Sequence, residues 1–361
     1  MFEKYDSIYI YGYNNWGRNV YNKVKALYPQ KDITILVPKM EQRKIDSIIG
    51  KKIIELANVK SSEKDLIILE LNPINQGWEL RELQERGFEH VIIYSHAVDD
   101  FLNNSLGSLP KIEVGFLGVC VGQACNLRCR DCANFAPYAH KENRKYRIEN
   151  IKRDLEKLFL CMREVDIFHI QGGEPFLYLE LDQLLFYVKE NYGHIIKNMQ
   201  VATNGTVIPS QKVLDVMSET KTLVRISNYP IESKVDELIT LLEHNNISYR
   251  IYNFVNKTGE WSDTGKLDYL IPKERDVVRQ MFECGWNKCF TVENGLVGRC
   301  ARSIPALTLQ DLPKREKDYI NLSKELDMKK VHKYFTITSP MACCMHCNGS
   351  SGEGIKPAVQ I

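Results

Sequence analysis

The chain has 361 residues, 44% of them apolar and 26% charged, with eleven cysteines and a net charge of +2. Acids and bases are interspersed, which leaves no charge argument for nucleic acid as a partner, and no apolar run of roughly 18 residues or signal-peptide core predicts a membrane segment. At about 100–200 residues per domain, the length predicts two or three domains. Without a secretory signal a disulfide framework is not expected, so the cysteines read as reduced thiols in a cytoplasmic protein. They cluster at 120–132, 284–300 and 343–347, a distribution typical of metal sites rather than core packing.

Residues 1–100 alternate between strand and helix patterns. Apolar runs fall at 8–11, 33–37, 66–71 and 91–94, and Trp16, Val20, Val24 and Leu27 recur at helical spacing between the first two. This predicts a small parallel Rossmann-like α/β domain. Its first turn spaces Gly12 and Gly17 as in a dinucleotide fingerprint, but Asn14 stands where backbone should approach a pyrophosphate. The second strand ends in Val37, Pro38 and Lys39, with no acid for a ribose. An NAD site is therefore disfavoured. The domain reads as structural, or as a holder of the phosphates of an activated substrate.

Residues 101–111 are rich in Asn, Ser, Gly and Pro and read as a linker. Beyond it, strands are predicted near 113–117, 167–171, 199–203, 223–227 and 248–254. Helices are predicted near 148–162, 181–192, 210–219 and 232–245. In the first helix Ile151, Leu155, Leu158, Phe159 and Met162 form an ordinary core stripe. A run of βα units over 112–260 points to a partial parallel barrel, whose active residues sit at the carboxyl ends of the strands.

Three cysteines follow the first barrel strand as Cys125, Cys129 and Cys132, a C-x3-C-x2-C spacing. Thiolates this dense hold either zinc or an iron–sulfur cluster. Zinc wants a fourth ligand, for which His140 is nearest; a four-iron cluster on three cysteines keeps one iron open. The second strand ends in Gly172, Gly173, Glu174 and Pro175, where the glycines allow close backbone approach to a ligand and Glu174 offers an acceptor for an ammonium group. The third ends in Thr203 and Asn204, the fourth in Ser227. Arg225, on the fourth strand, is the weaker member of the set, since a strand arginine can simply face solvent.

The three cysteines with Gly172, Gly173, Glu174 and Pro175 resemble the signature of radical S-adenosylmethionine (SAM) enzymes, over roughly residues 112–350. The resemblance implies a partial (β/α)6 TIM-like barrel, a [4Fe–4S] cluster on Cys125, Cys129 and Cys132, and SAM on its open iron. It implies that Glu174 holds the SAM amino group, and that Thr203, Asn204 and Ser227 bond its ribose and carboxylate. One departure concerns the adenine: the family usually has an aromatic residue before the third cysteine, where this chain has Asp131. Phe135 or Tyr138 could supply that surface instead.

Residues 261–361 carry Cys284, Cys300, Cys344 and Cys347, an arrangement that resembles the twitch domain, a short relative of SPASM. The resemblance implies a second, fully ligated [4Fe–4S] cluster. The same four sulfurs would also suit tetrahedral zinc, and Cys289 or Cys343 could replace a neighbour as ligand. Of the remaining thiols, Cys161 reads as packing, Cys120 as packing or active-site, and Cys289 as the one to suspect of chemistry.

In this family the adenosyl radical removes a hydrogen atom from an unactivated carbon. An auxiliary cluster that accepts an electron then gives a carbonyl, and a thiol that returns hydrogen from the opposite face inverts the carbon. Twitch-bearing relatives include enzymes that dehydrogenate or epimerise hydroxyl-bearing carbons of aminocyclitols and sugars. The chain is accordingly expected to epimerise, or alternatively dehydrogenate, a sugar or polyol, with Cys289 as hydrogen donor. Its partners would be a small-molecule substrate, such as a nucleotide-activated sugar or polyol, and an external reductant such as flavodoxin or ferredoxin. A zinc-stabilised binding module and a nicotinamide-dependent dehydrogenase stand as readings from other classes.

Overall fold

Near the start of the chain, apolar runs too short for helices form five strands: β1 (Ser7–Tyr11), β2 (Asp32–Val37), β3 (Ile53–Glu55), β4 (Asp65–Leu69) and β5 (Val91–Ile93). The computed structural model describes every residue except 1, 13–14, 39–51, 70–75, 96–97, 99–100, 103–104, 107–111, 256–258, 272, 314 and 338. The chain divides into two units, Met1–Glu113 with Met328–Ile337, and Val114–Asp327 with Thr338–Ile361.

In the first unit the five strands pair in parallel in the order β3-β2-β1-β4-β5, the order of doubly wound nucleotide-binding sheets. Both faces are covered. Ile8, Ile10 and Ile68 pack with Val20 and Val24 of the helix Asn15–Leu27, and Tyr11, Ile67 and Leu69 pack with Leu83 of the helix Gln76–Glu85. Two-sided burial explains why the inner strands read as continuous apolar runs. β3 escaped the sequence reading because it is a three-residue edge strand, only half buried. In the first turn Gly12 has a φ of 125°. A Cβ on Gly17 would lie 2.4 Å from the Gly12 carbonyl oxygen, so that glycine serves close strand–helix packing. Asn14, Lys39 and most of the expected linker lie outside the described residues.

The second unit is built on β6 (Ile112–Cys120), β7 (Met162–Gln171), β8 (Ile196–Thr203), β9 (Leu223–Asn228) and β10 (Tyr249–Asn253). Helices Ile148–Phe159, Leu181–Tyr192, Gln211–Glu219 and Val235–His244 alternate with them. Ile151, Leu155, Leu158 and Phe159 of the first helix are buried as the stripe predicted, each contributing about 1.5–3 kcal/mol on burial. After β11 (Trp261–Ser262) comes β12 (Phe290–Glu293), followed by β13 (Leu296–Gly298), β14 (Ile320–Asn321) and β15 (Gly354–Ile355).

The large sheet runs β10-β9-β8-β7-β6-β12-β13-β14. Its pairs β7–β8, β8–β9, β9–β10 and β6–β12 are parallel, while β13 and β14 add on antiparallel. A six-unit barrel places its sixth strand beside the fifth; here β12 flanks the first barrel strand, β6, instead. Between β10 and β12 lie β11, which pairs with β15, and the helix Glu274–Glu283. The register brings the carboxyl ends of β6 to β10 to one rim, with Thr203 paired to Ile226 and Asn253 to Asn228. No helix among the described residues is long and apolar enough to cross a membrane.

Candidate active site

The loop after β6 is tied to the end of β7 backbone to backbone. Val121 N–H donates to Gln171 O (2.9 Å), Gly173 N–H to Gly122 O (2.9 Å) and Glu174 N–H to Ala124 O (2.7 Å). A Cβ on Gly172 would fall 2.4 Å from Gly122 O, and one on Gly173 2.2 Å from Ala124 O. The glycine pair therefore clears room first for the chain's own cysteine loop. The close approach expected from the sequence is thus made by the chain's own backbone as well as being open to a ligand in the cavity that both glycines line.

Cys125, Cys129 and Cys132 line one cavity of about 410 Å³ together with Gly172, Gly173, Glu174 and Pro175, a volume within the range of about 300–1,000 Å³ for small-molecule sites. Burial pushes all three thiols up, Cys125 to about 12. N–H groups aim at the sulfurs: Leu127 N–H at Cys125 Sγ (3.4 Å) and Gln360 Nε2 at Cys129 Sγ (3.3 Å). Backbone N–H groups of residues 134, 135 and 136 face Cys132. Donors on three convergent sulfurs suit thiolates bound to iron, so this donor set fits a three-cysteine cluster. His140 is exposed and stands apart from the cavity lining. Among the described residues no group of three or more His, Cys, Asp or Glu could hold a single metal ion.

Glu174 is 2% exposed. Its carboxylate accepts the backbone N–H of Asn204 (2.7 Å) and of Phe176 (3.0 Å). Burial pushes its pKa up to about 7, with these donors and the Thr203 hydroxyl working in the opposite direction. Each oxygen retains acceptor capacity for an ammonium group. Thr203 and Ser227 line the same cavity; Thr203 Oγ1 also accepts Gly205 N–H (3.1 Å). Asn204 lines it too, but its amide is largely committed. Nδ2 donates to Asn126 Oδ1 (3.1 Å) and Cys125 Sγ (3.7 Å), and Oδ1 accepts Thr206 N–H (2.9 Å). Asn204 thus braces the cysteine loop.

Neither aromatic residue named from the sequence lines the cavity. Phe135 is buried beneath Arg302, and the exposed Tyr138 donates through its hydroxyl to Arg130 O. The aromatic wall comes from Tyr229, Phe254, Trp261 and Trp286, with Tyr229 edge-on to Trp261 at 5.3 Å. Tyr229 and Phe254 each stand one residue beyond a strand end, so the strand-end rule that found Ser227 could have found them. Asp131 does line the cavity, paired with Arg130 at 3.0 Å. Arg225 does not simply face solvent: its guanidinium lies 4.6 Å from the Tyr252 ring centroid, with Nε buried and unpartnered.

Cys284, Cys300, Cys344 and Cys347 meet around a second, small cavity of about 40 Å³, with Cys343, Arg302 and Trp286 also in its wall. Cys347 Sγ accepts Gly349 N–H (3.2 Å). The hydrogen bond from Cys343 lowers the pKa of Cys344, while burial pushes Cys347 up to about 11. Cys289 lines neither cavity. Its thiol donates to Gly285 O (3.8 Å) and faces Cys284 and Arg225, and burial pushes it up to about 12. Cys161 is buried, as is Cys120, whose sulfur accepts from Gln123 Nε2 (3.5 Å). Trp286 lines both cavities.

The family model described as "Radical SAM superfamily" matches residues 119–250, which span both the cysteine loop and the strand ends. No curated protein matches the sequence. Among solved structures, the chain is similar to BtrN in complex with AdoMet and 2-DOIA, at 14% identity and a TM-score of 0.45, over 70% of this chain and 100% of that one. It is similar to native anSMEcpe with bound AdoMet, at 17% identity and a TM-score of 0.42, over 68% and 92%. Streptococcus suis SuiB bound to precursor peptide SuiA gives 21% identity and a TM-score of 0.31, over 49% and 44%.

Proposed function

We propose that this chain, a radical SAM enzyme over residues 119–250, abstracts a hydrogen atom from a hydroxyl-bearing carbon of a sugar or polyol and epimerises that carbon. The observation that carries the reading is the meeting of Cys125, Cys129 and Cys132 with Gly172, Gly173, Glu174 and Pro175 around one cavity. Bound SAM and a [4Fe–4S] cluster supply the adenosyl radical that takes the hydrogen.

The chain's own residues do the positioning. The three cysteines hold the cluster. Glu174 takes the ammonium of SAM, Thr203 and Ser227 bond its polar groups, and the wall of Tyr229, Phe254 and Trp261 excludes water. Cys284, Cys300, Cys344 and Cys347 hold a second cluster, a reading supported by their convergence on one buried cavity. Epimerisation needs a hydrogen-bearing sulfur on the face opposite the one attacked. Cys289 is proposed as that donor because burial keeps its sulfur protonated and it stands outside the second thiol cavity. It does not line the first cavity either, and its link to that cavity is Trp286, whose carbonyl accepts the Cys289 N–H (3.0 Å). An external reductant such as flavodoxin or ferredoxin would supply the electron for SAM cleavage and the electron that, with a proton from solvent, returns the Cys289 thiyl radical to the thiol.

Dehydrogenation is the second reading. It requires an electron acceptor close to the substrate, and Trp286, which lines both cavities, favours it. Residues 1–100 are proposed to recognise a phosphate or nucleotide handle on the substrate. The test is anaerobic incubation with SAM, reductant and a panel of nucleotide-linked sugars and polyols, with products read by mass spectrometry. An epimer from one of them supports the proposal; a product two hydrogens lighter, with no epimer, overturns epimerisation in favour of dehydrogenation.

A further inference from the structure

Arg302 is 3% exposed. It lies in the wall of the second thiol cavity, two residues after Cys300. Its Nη1 donates to Thr264 Oγ1 (2.9 Å), and its Nη2 donates to Gly265 O (2.8 Å) and His346 O (3.5 Å). Nε is buried with no hydrogen-bond partner. The guanidinium carbon sits 4.0 Å from the ring centroid of Phe135, three residues after Cys132, a cation–π geometry that ties the first cysteine loop to the second set.

A guanidinium buried this deeply without a countercharge is strongly unfavourable. Among the described residues no carboxylate pairs with Arg302. The groups beside it that can carry opposite charge are sulfurs, which become thiolates when they ligate iron. Cys300, Cys343 and Cys347 share the wall of the second cavity with it, and Cys132 lies three residues before the Phe135 ring that the guanidinium covers.

We propose that Arg302 is the shared counter-cation of the two thiolate sets, and that it raises the reduction potential of a cluster on Cys284, Cys300, Cys344 and Cys347 above what those ligands alone would give. The proposal rests on the reading that both sets hold clusters. A reduced cluster carries one more negative charge than an oxidised one, so a fixed cation beside it favours reduction. Because Arg302 lines the second cavity directly, the second cluster feels it more than the first. Such a bias would make the second cluster the better electron acceptor of the two.

The experiment compares wild type with Arg302→Gln and Arg302→Lys, each loaded with iron and sulfide. It reads iron content together with both midpoint potentials in an EPR-monitored redox titration. Arg302→Gln should shift the second cluster's equilibrium at least tenfold toward the oxidised form, about 59 mV for one electron, with a smaller shift of the same sign at the first. Arg302→Lys should keep most of the wild-type value. Full iron with both potentials unchanged in Arg302→Gln overturns the proposal. If Arg302→Gln sheds iron from the second site, Arg302→Lys decides: retained iron supports a charge role, and iron lost from both variants shows a packing role and overturns it. Wild type holding only about four irons contradicts the two-cluster reading itself, before any variant is made, and the shared role falls with it.

Discussion

The carboxylate of Glu174 accepts the backbone N–H of Asn204 at 2.7 Å, so a residue three positions beyond β7 clamps the residue just beyond β8. The amide side chain of Asn204 in turn reaches Asn126 and Cys125. One buried carboxylate thereby couples the proposed ammonium site to the geometry of the proposed cluster loop.

That carboxylate gives the first prediction. Burial raises Glu174 to about 7 from an unfolded value of 4.5. The native state thus holds its proton more tightly than the unfolded chain, so this group's stabilising contribution is full below 4.5 and is lost as pH rises through 7. A bound ammonium group reverses the preference. SAM affinity should climb about tenfold per pH unit below 7 and level off above it. Anaerobic calorimetry should also detect proton release on binding near pH 6. Glu174→Gln should bind SAM more weakly by about 1.5–3 kcal/mol and without the pH dependence; an unaltered profile in that variant contradicts the assignment.

Gly173→Ala would drive a methyl group to within 2.2 Å of the Ala124 carbonyl oxygen. Backbone cannot yield there without moving the loop that carries Cys125. The variant should lose roughly half of its iron, the share held by the first of two four-iron sites, while circular dichroism shows the remaining fold intact. Full iron retention would show that the loop tolerates the displacement.

Much of this site was legible because the barrel's chemistry collects at strand ends. Gly172, Gly173, Glu174, Thr203, Asn204 and Ser227 all follow or close an apolar run, and a two-residue strand period marks where each run stops. The set Cys284, Cys300, Cys344 and Cys347 comes from the resemblance to the twitch domain, with Cys289 and Cys343 as alternative ligands; Cys343 lines the same cavity and Cys289 does not. Contacts between distant segments were not legible. Nothing local announces that Gln360 bonds Cys129, that Trp286 borders two cavities, or that Arg302 stacks on Phe135. The position of β12 beside β6 belongs to the same class, since a short strand carries no mark of its pairing edge.

Replacing Cys125, Cys129 and Cys132 together with Ala should leave about half the iron and abolish SAM cleavage. Replacing Cys284, Cys300, Cys344 and Cys347 should also remove about half. Metal analysis with SAM-cleavage assays checks both. Stoichiometric zinc in the purified wild type would contradict either cluster.

The amino-terminal unit is expected to serve substrate recognition without binding a redox nucleotide. Its strand order is that of a nucleotide-binding sheet, yet the second strand runs into Pro38 where an acid would hold a ribose. Equilibrium dialysis of the full-length protein should find no stoichiometric NAD or NADP; tight binding of either would overturn this assignment.

The most direct test of the central claim is the mass of the product formed in heavy water. Once an acceptable substrate is found, wild type should return an epimer carrying a single deuterium at the inverted carbon, delivered by the exchanged thiol of Cys289. Cys289→Ala should still cleave SAM but form no epimer. A wild-type product two hydrogens lighter than the substrate, with no deuterium gained, would contradict epimerisation and make dehydrogenation the native reaction.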